Sequence, residues 1–410
     1  MINKQTTATD YDVVIVGAGI AGSLLSHAIL QRSPTLNILL IDNNPQQIEP
    51  ARHPGFDARS IALSAGSCEL LDDLGLWSAL KEKAQAIDDI HISDRGHIGA
   101  LDLIKNESEL PFGYVVELQN VGEIINRQLA KYAQLTRLYS TSLKAIEKTV
   151  EHAICYLQDG SRFTAKLCVA ADGGDSLTRQ LLNISAQSFD YGCSAMIANV
   201  ACSQPHLNKA YERFTEDGPI ALLPLRENRF SLVWSVNNND LDRLMSLDDT
   251  EYTREVQQAF GYRAGIINTV GKRDTYPLFL IKINKPITHR GICIGNAAHC
   301  LHPVMGQGFN LGLRDLYSLA QVINQLDDVQ CLGEYKMIHR YWSMRQQDHH
   351  NTILMTDTIV RGFSSPNSLM VLGRNITLRA MSCLPALSLP IVKQAKGQFN
   401  LKGIHHDSIL

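Results

Sequence analysis

Val13-Val14-Ile15-Val16 is an unbroken apolar run that stops at Gly17. Apolar residues at successive positions are buried on both faces, which predicts a parallel strand flanked by helices. From Ile20 to Leu30 the apolar positions fall three and four apart, predicting a helix, and Ile38 to Ile41 predicts a second parallel strand ending at Asp42. The strand-then-glycine order returns twice. Leu167 to Ala171 runs into Asp172-Gly173, and Ile292 to Ile294 runs into a bend from Gly295 to Gly308. The helix expected after that bend carries Phe309, Leu311, Leu313, Leu316, Leu319 and Ala320. Ile61, Leu63, Leu70, Leu71 and Leu74 give helical spacing after a turn-like His-Pro-Gly-Phe-Asp at 53–57. Residues 211–236 differ: short apolar runs separated by Gly218-Pro219 and by Arg226-Glu227-Asn228-Arg229 predict antiparallel strands.

Composition narrows the class. A chain of 410 residues with 45% hydrophobic and 19% charged residues has room for two domains and a sizeable core. A net charge of −3 supplies no basic field, so no nucleic-acid partner is expected. The nine cysteines form no C-x-x-C pair, which suits a reduced compartment and excludes a zinc or disulfide framework. The first ten residues lack the apolar core of a signal peptide, and no run of 18 apolar residues exists; a cytoplasmic location is expected.

The glycines carry the chemistry. Gly17, Gly19 and Gly22 form G-x-G-x-x-G between a strand and a helix, with Ala18, Ile20 and Ala21 completing the turn. Such glycines give a tight turn, a close approach to a pyrophosphate and close helix-to-strand packing, while the helix N-terminus attracts the phosphates. Asp42 follows Gly22 by 20 residues, where an acid accepts hydrogen bonds from a ribose. That pattern alone leaves NAD and FAD both open. Arg59 is a candidate pyrophosphate contact. Ser176 is a candidate N-cap, and Asp172 and Arg179 could pair or reach phosphate and ribose. Gly306 and Gly308 would let backbone approach a planar ring, with helix N–H groups facing developing negative charge. That favours a flavin.

Three motifs in this order, GAGIAG with Asp42, ADGGDSLTR, and GNAAHCLHPVMGQGFNLGLRD, resemble the FAD-dependent aromatic hydroxylases, the group that includes para-hydroxybenzoate hydroxylase. The resemblance covers most of residues 11–345. FDARSIALS, VVELQNVGEIINRQL and RFTEDGPIALLPL are closest to the ubiquinone-biosynthesis branch, nearest to 2-polyprenyl-6-methoxyphenol hydroxylases. It implies an α/β dinucleotide-binding FAD domain over 1–75, 111–182 and 271–345. An interleaved antiparallel-sheet substrate domain would cover 76–110 and 183–270, and a C-terminal helical region 346–410. Carried over residue by residue, it assigns Gly17, Gly19, Gly22 and Asp42 to the ADP half of FAD. Arg59, Asp172, Gly173 and Arg179 would also serve the cofactor, as would Gln119 if its stretch aligns. Gly295, Asn296, Gly306, Gln307, Gly308, Phe309 and Asn310 would follow the ribityl chain and flavin ring, with Pro303 and His302 beside the substrate. Most of the family has Asp where Asn296 stands; Asn keeps an acceptor and loses the charge.

The implied reaction is hydroxylation of a polyprenyl phenol in ubiquinone biosynthesis by oxygen through a 4a-hydroperoxyflavin, with NAD(P)H as electron donor. The cofactor carries the hard chemistry, so a missing catalytic triad or metal cluster is no objection. Phe214, Leu222, Pro224 and Trp234 are candidate pocket walls. His299 and His302, three apart, suit local packing or proton handling better than metal ligation. Residues beyond Arg345 mix Leu, Met and Ile with Arg361, Arg374, Arg379, Lys393 and Lys396, leaving room for peripheral contact with the inner face of a membrane or with a ubiquinone-biosynthesis complex. Two rival readings stay open: a hydroxylase acting at another ring position or on a soluble aromatic acid, for which Arg226 and Arg229 are the nearest cations, and a non-catalytic FAD-binding scaffold.

Overall fold

The computed structural model describes residues 9–45, 59–216, 218–365 and 367–397. The turn expected at 53–57 lies outside the described residues. Two large sheets dominate. In the first, the strands Gly291–Cys293, Arg162–Ala170, Thr9–Val16, Ile38–Ile41 and Leu135–Leu138 lie side by side in that order, all parallel. Val13, Val14 and Ile15 are fully buried, as an unbroken apolar run requires. The helix Ile20–Arg32 covers this sheet together with Leu118–Leu129 and Gln307–Asn324, and Leu24, Leu25, Ile29, Leu313 and Leu319 share one core.

The second sheet has nine strands and is built mainly from antiparallel neighbours: Asp274–Lys282, Gln187–Cys202, Arg229–Asn237, Gly218–Leu225 and Lys209–Thr215. Arg226–Asn228 separates Gly218–Leu225 from Arg229–Asn237 as expected, whereas Gly218-Pro219 falls inside its strand, paired with Thr215 and Phe214. The sheet continues through Asp89–Asp94, which pairs parallel to Lys209–Thr215. The long helix Tyr335–Ser364 then leads into Ser368–Cys383 and Pro385–Ala395. The architecture is an α/β FAD-domain fold with an interleaved antiparallel sheet and a C-terminal helical region.

Two further sequence expectations shift. Ile61 and Leu63 belong to the strand Ser60–Ser64, which pairs antiparallel with Gly113–Glu117, and the helix begins only at Ala65. Ser64 ends the strand because its hydroxyl caps the helix by accepting from Ser67 N–H at 3.2 Å. The last bend is also shorter than expected, since the helix starts at Gln307 and takes in Gly308.

Candidate functional site

A cavity of about 730 Å³ runs from the carboxyl ends of the parallel strands to the face of the antiparallel sheet. Ligands bind in such a position because strand ends and helix N-termini converge there. Gly17, Gly19, Ile20, Ala21, Asp42 and Arg59 line one end, with Asp172 and Gly173 beside them. Gly295, Asn296, Pro303, Gly306, Gly308, Phe309 and Asn310 line the middle.

The three glycines of the first loop do different work. Gly17 has φ +107°, and a Cβ there would meet the Ala171 carbonyl oxygen at 2.4 Å. At Gly22 a Cβ would lie 1.9 Å from the Gly17 carbonyl oxygen, so this glycine permits the helix to sit on the loop. Gly19 is unlike both, for nothing lies within 4 Å of a Cβ placed on it. It is also the N-cap of Ile20–Arg32 and offers no side chain to that helix's free N–H groups. Open space, uncapped donors and the dipole's positive end make a cradle that fits a pyrophosphate. Asp42 is buried and shapes this loop: Ala18 N–H donates to its Oδ2 at 2.6 Å, and Asn44 donates twice to Oδ1 at 2.8 Å.

At the second motif Ser176 is the N-cap, accepting from Arg179 N–H at 2.9 Å. Of the two alternatives for Asp172 and Arg179, the direct pair does not form. Asp172 accepts from the Ser176 hydroxyl and from Thr178 N–H at 3.0 Å, whereas the Arg179 guanidinium donates to the carbonyls of Gly174 and Ala297 at 2.9 and 3.1 Å. Arg179 therefore ties the second motif to the third and stands behind the cavity lining. Gln119, half-buried in the first turn of its helix, stands back from the cavity too; its neighbour Leu118 lines it. Arg59 lies over the Tyr276 ring, 5.7 Å from its centroid.

The third motif turns sharply before its helix. Met305 and Gly306 both take left-handed backbone, at φ +56° and +61°, and a Cβ on Gly306 would press to 3.2 Å from Ala62 Cβ. Asn310 locks this turn in place. Its Oδ1 accepts from Ser64 N–H and the Ser67 hydroxyl at 2.9 and 2.7 Å, and its Nδ2 donates to the carbonyls of Ala62 and Gly306 at 2.9 and 2.7 Å. With its four bonds in use, the Asn310 amide positions the wall it belongs to. Gln307 is buried away from the cavity, accepting from Gln394 at 3.0 Å. Asn296 is exposed at the cavity and has no hydrogen-bond partner among the described residues.

His302 is buried against the Tyr191 ring at 5.3 Å and lies 3.4 Å from the Ser235 hydroxyl, outside the cavity lining. Burial pushes its pKa down to about 4, so the ring is neutral. His299 belongs to a different cluster. Its Nε2 meets Asp315 Oδ2 at 2.9 Å, while His349 Nε2 and Arg345 Nε meet Oδ1 at 2.7 and 2.9 Å. Asp348 joins Arg345 to Arg314 at 2.6 and 2.7 Å. Burial pushes the Asp315 carboxyl up, but the His349 and Arg345 side chains and the hydrogen bonds outweigh it and hold the pKa well below the usual range. Burial also pushes the His349 imidazole down, with Asp315 acting the other way. The Arg345 guanidinium sits where a metal would need an Asp315 lone pair, so the cluster reads as a charge network.

The pocket walls differ from expectation. Phe214, Leu222, Pro224 and Trp234 stand outside the cavity lining; Glu212, Ala221, Leu223, Ser231 and Val233 line it instead. Leu222, Pro224 and Trp234 point to the other face because strand side chains alternate, and Phe214 stacks on Phe363 at 3.8 Å. Arg226 and Arg229 are also off the cavity: Arg226 binds the Glu82 carbonyl, and Arg229 meets Glu117 at 3.4 Å.

The FAD binding domain family matches residues 10–337, through all three glycine bends and the sheet between them. The chain belongs to that family. As a member of the FAD binding domain family it is 32% identical over 95% of its length to ubiquinone hydroxylase UbiL of Rhodospirillum rubrum, covering 90% of that protein. Against 3-demethoxyubiquinol 3-hydroxylase of Escherichia coli it is 27% identical over 97% of its length and 100% of the relative. Its fold matches p-nitrophenol 4-monooxygenase PnpA from Pseudomonas putida with a TM-score of 0.76 at 16% identity, over 95% of this chain and 99% of the other.

Proposed function

We propose that the protein hydroxylates the aromatic ring of a polyprenyl phenol in ubiquinone biosynthesis. One observation carries this reading: a single cavity joins the glycine cradle to an apolar sheet wall of Ile90, Ile92, Ala221, Leu223, Val233 and Leu278. A dry wall next to a flavin suits a phenol with a prenyl tail and keeps water from the reacting centre. The names of the two relatives support the pathway.

In this reading Gly17–Gly22, Asp42, Arg59, Asp172 and Asn296 would hold FAD, and Pro303, Gly306, Gly308, Phe309 and Asn310 would lie beside its ring, with Gln307 behind them. FAD, when bound and reduced by NAD(P)H, activates oxygen and delivers one of its atoms to the ring. The protein's own residues hold and exclude. The uncapped helix at Gly19 would bind the phosphates, Asn296 would meet the ribityl hydroxyls, and the sheet wall would orient the phenol. Gln119 and Arg179 act from behind the lining. The flavin body takes residues 1–75, 111–182 and 271–345, the substrate domain 76–110 and 183–270, and the tail 346–410.

The tail supports contact with an anionic membrane surface. No single helix among the described residues is long and apolar enough to cross a bilayer. The helices Ser368–Cys383 and Pro385–Ala395 meet at 96° and expose Leu369, Leu372, Ile376, Leu387 and Leu389 near Arg379 and Lys393. Apolar side chains with basic neighbours suit an interfacial helix.

Deletion of the gene tests the function. A polyprenyl phenol lacking one ring hydroxyl should accumulate, and its structure names the ring position. A strain with normal quinone content overturns the reading. Purified enzyme should also oxidise NAD(P)H faster when phenol is added; a scaffold would show no such stimulation.

A further inference from the structure

Glu212 is the one carboxyl on the sheet wall of the cavity among the described residues. It sits on Lys209–Thr215 and is 8% exposed. Its cross-strand partners are Ile92 and Ala221, and Ala210 precedes it on the same face. A carboxyl buried among apolar neighbours is costly and calls for a reason. The Met305 backbone, on the left-handed turn between Pro303 and Gly306, lies against its carboxyl. The carboxyl thus stands beside the bend that would face the flavin ring.

We propose that Glu212 is the base that takes the hydroxyl proton of the bound phenol, an inference that rests on the phenol-hydroxylase reading above. In this step the phenol O–H bond breaks and a carboxyl O–H bond forms on Glu212. The electron pair stays on the phenol oxygen and raises electron density at the ring carbons ortho and para to it. Nothing is oxidised in the step, and the proton passes to solvent after product leaves.

The surroundings suit that task. Asp89, His91 and Asp94 of the neighbouring strand pair with other positions, Lys209, Tyr211 and Phe214. Gly218–Leu225 brings no charge. On the helix Tyr335–Ser364, which packs here through Phe363, Asp357 and Arg361 bind each other at 2.8 Å. The other ionisable groups along the cavity are Asp42, Arg59, Asp172, Asp175, Tyr211, Tyr276 and Cys300. Burial pushes the Glu212 carboxyl up to about 8, with the Met305 backbone acting the other way. That brings the acid close to a phenol, whose pKa is about 10, and matched pKa values favour proton transfer. As a base Glu212 works ionised, so hydroxylation should rise with pH through about 8.

The test uses the FAD-loaded enzyme, photoreduced and mixed with oxygen in single turnover, with 2-prenylphenol as the probe. Glu212→Gln keeps an acceptor beside the Met305 backbone and removes the base. It should lower the rate of product formation roughly 100-fold and flatten the pH profile. Glu212→Asp should keep the rising limb. Wild-type rate and pH profile in Glu212→Gln overturn the proposal, as does a flat profile in Glu212→Asp. A wild-type enzyme that hydroxylates no probe overturns the hydroxylase reading and this inference with it. Product from the wild type tells the two failures apart.

Discussion

Asp315 and Arg345 meet at 2.9 Å with both side chains almost wholly out of solvent. The pair joins the helix after the third glycine bend to the long helix that follows it, and through His299 it reaches back into the bend itself. Removing one partner of such a pair leaves an uncompensated buried charge. Asp315→Ala should therefore destabilise the protein by about 3–5 kcal/mol. Urea unfolding of the variant against the wild type measures it, and a loss under about 1 kcal/mol contradicts the network's role.

The same network sets an acid limit. Burial pushes Asp348 up, but Arg345 and Arg314 outweigh it and bring its pKa to about 2, against 3.8 unpaired. A carboxyl depressed in the folded state adds stability above its unfolded pKa and loses it as pH falls through the folded one. Asp348 should contribute about 2 kcal/mol at neutral pH, lost between pH 4 and 2. Asp348→Asn should lack that part of the acid transition.

His302 acts at milder pH. Its folded pKa is about 4 against 6.5 unfolded, so the unfolded chain binds more protons between those values. Stability is full above pH 6.5 and falls as pH drops towards 4, by about 3 kcal/mol from this group. His302→Asn should remove that slope; thermal unfolding across the window measures it.

The first glycine loop separates fold from cofactor. Gly22→Ala would drive a Cβ into the Gly17 carbonyl at 1.9 Å and should cost about 3 kcal/mol or more of stability. Gly19→Ala enters open space, so circular dichroism should stay native while FAD content after gel filtration falls roughly tenfold. Wild-type FAD retention in Gly19→Ala would contradict the pyrophosphate cradle at Gly19.

Asn296 offers a redox test. An aspartate there would add a negative charge beside a cofactor that becomes anionic on reduction. Asn296→Asp should lower the flavin potential by roughly 30 mV, about 1.4 kcal/mol for a two-electron couple. An unchanged potential would sink the idea that the neutral residue eases reduction.

Much was legible in the chain because it rests on local rules. Unbroken apolar runs at Val13–Val16 and Ile38–Ile41 can only be strands buried on both sides, and Gly17 after the first marks a turn that a Cβ would block. The sequence by itself therefore determined the parallel sheet, the three glycine bends and the FAD family. Only the tertiary structure decided which face of each strand meets the cavity, since a shift of one residue reverses the face and leaves the apolar count unchanged. That is why Leu222 and Trp234 were expected where Ala221 and Val233 stand. It also decided partners far apart in sequence: Arg179 with Ala297, Asp315 with Arg345 and His349, and Glu212 with Met305. Charges and carboxyls read alone look like surface, and burial against a distant segment is what turns them into chemistry.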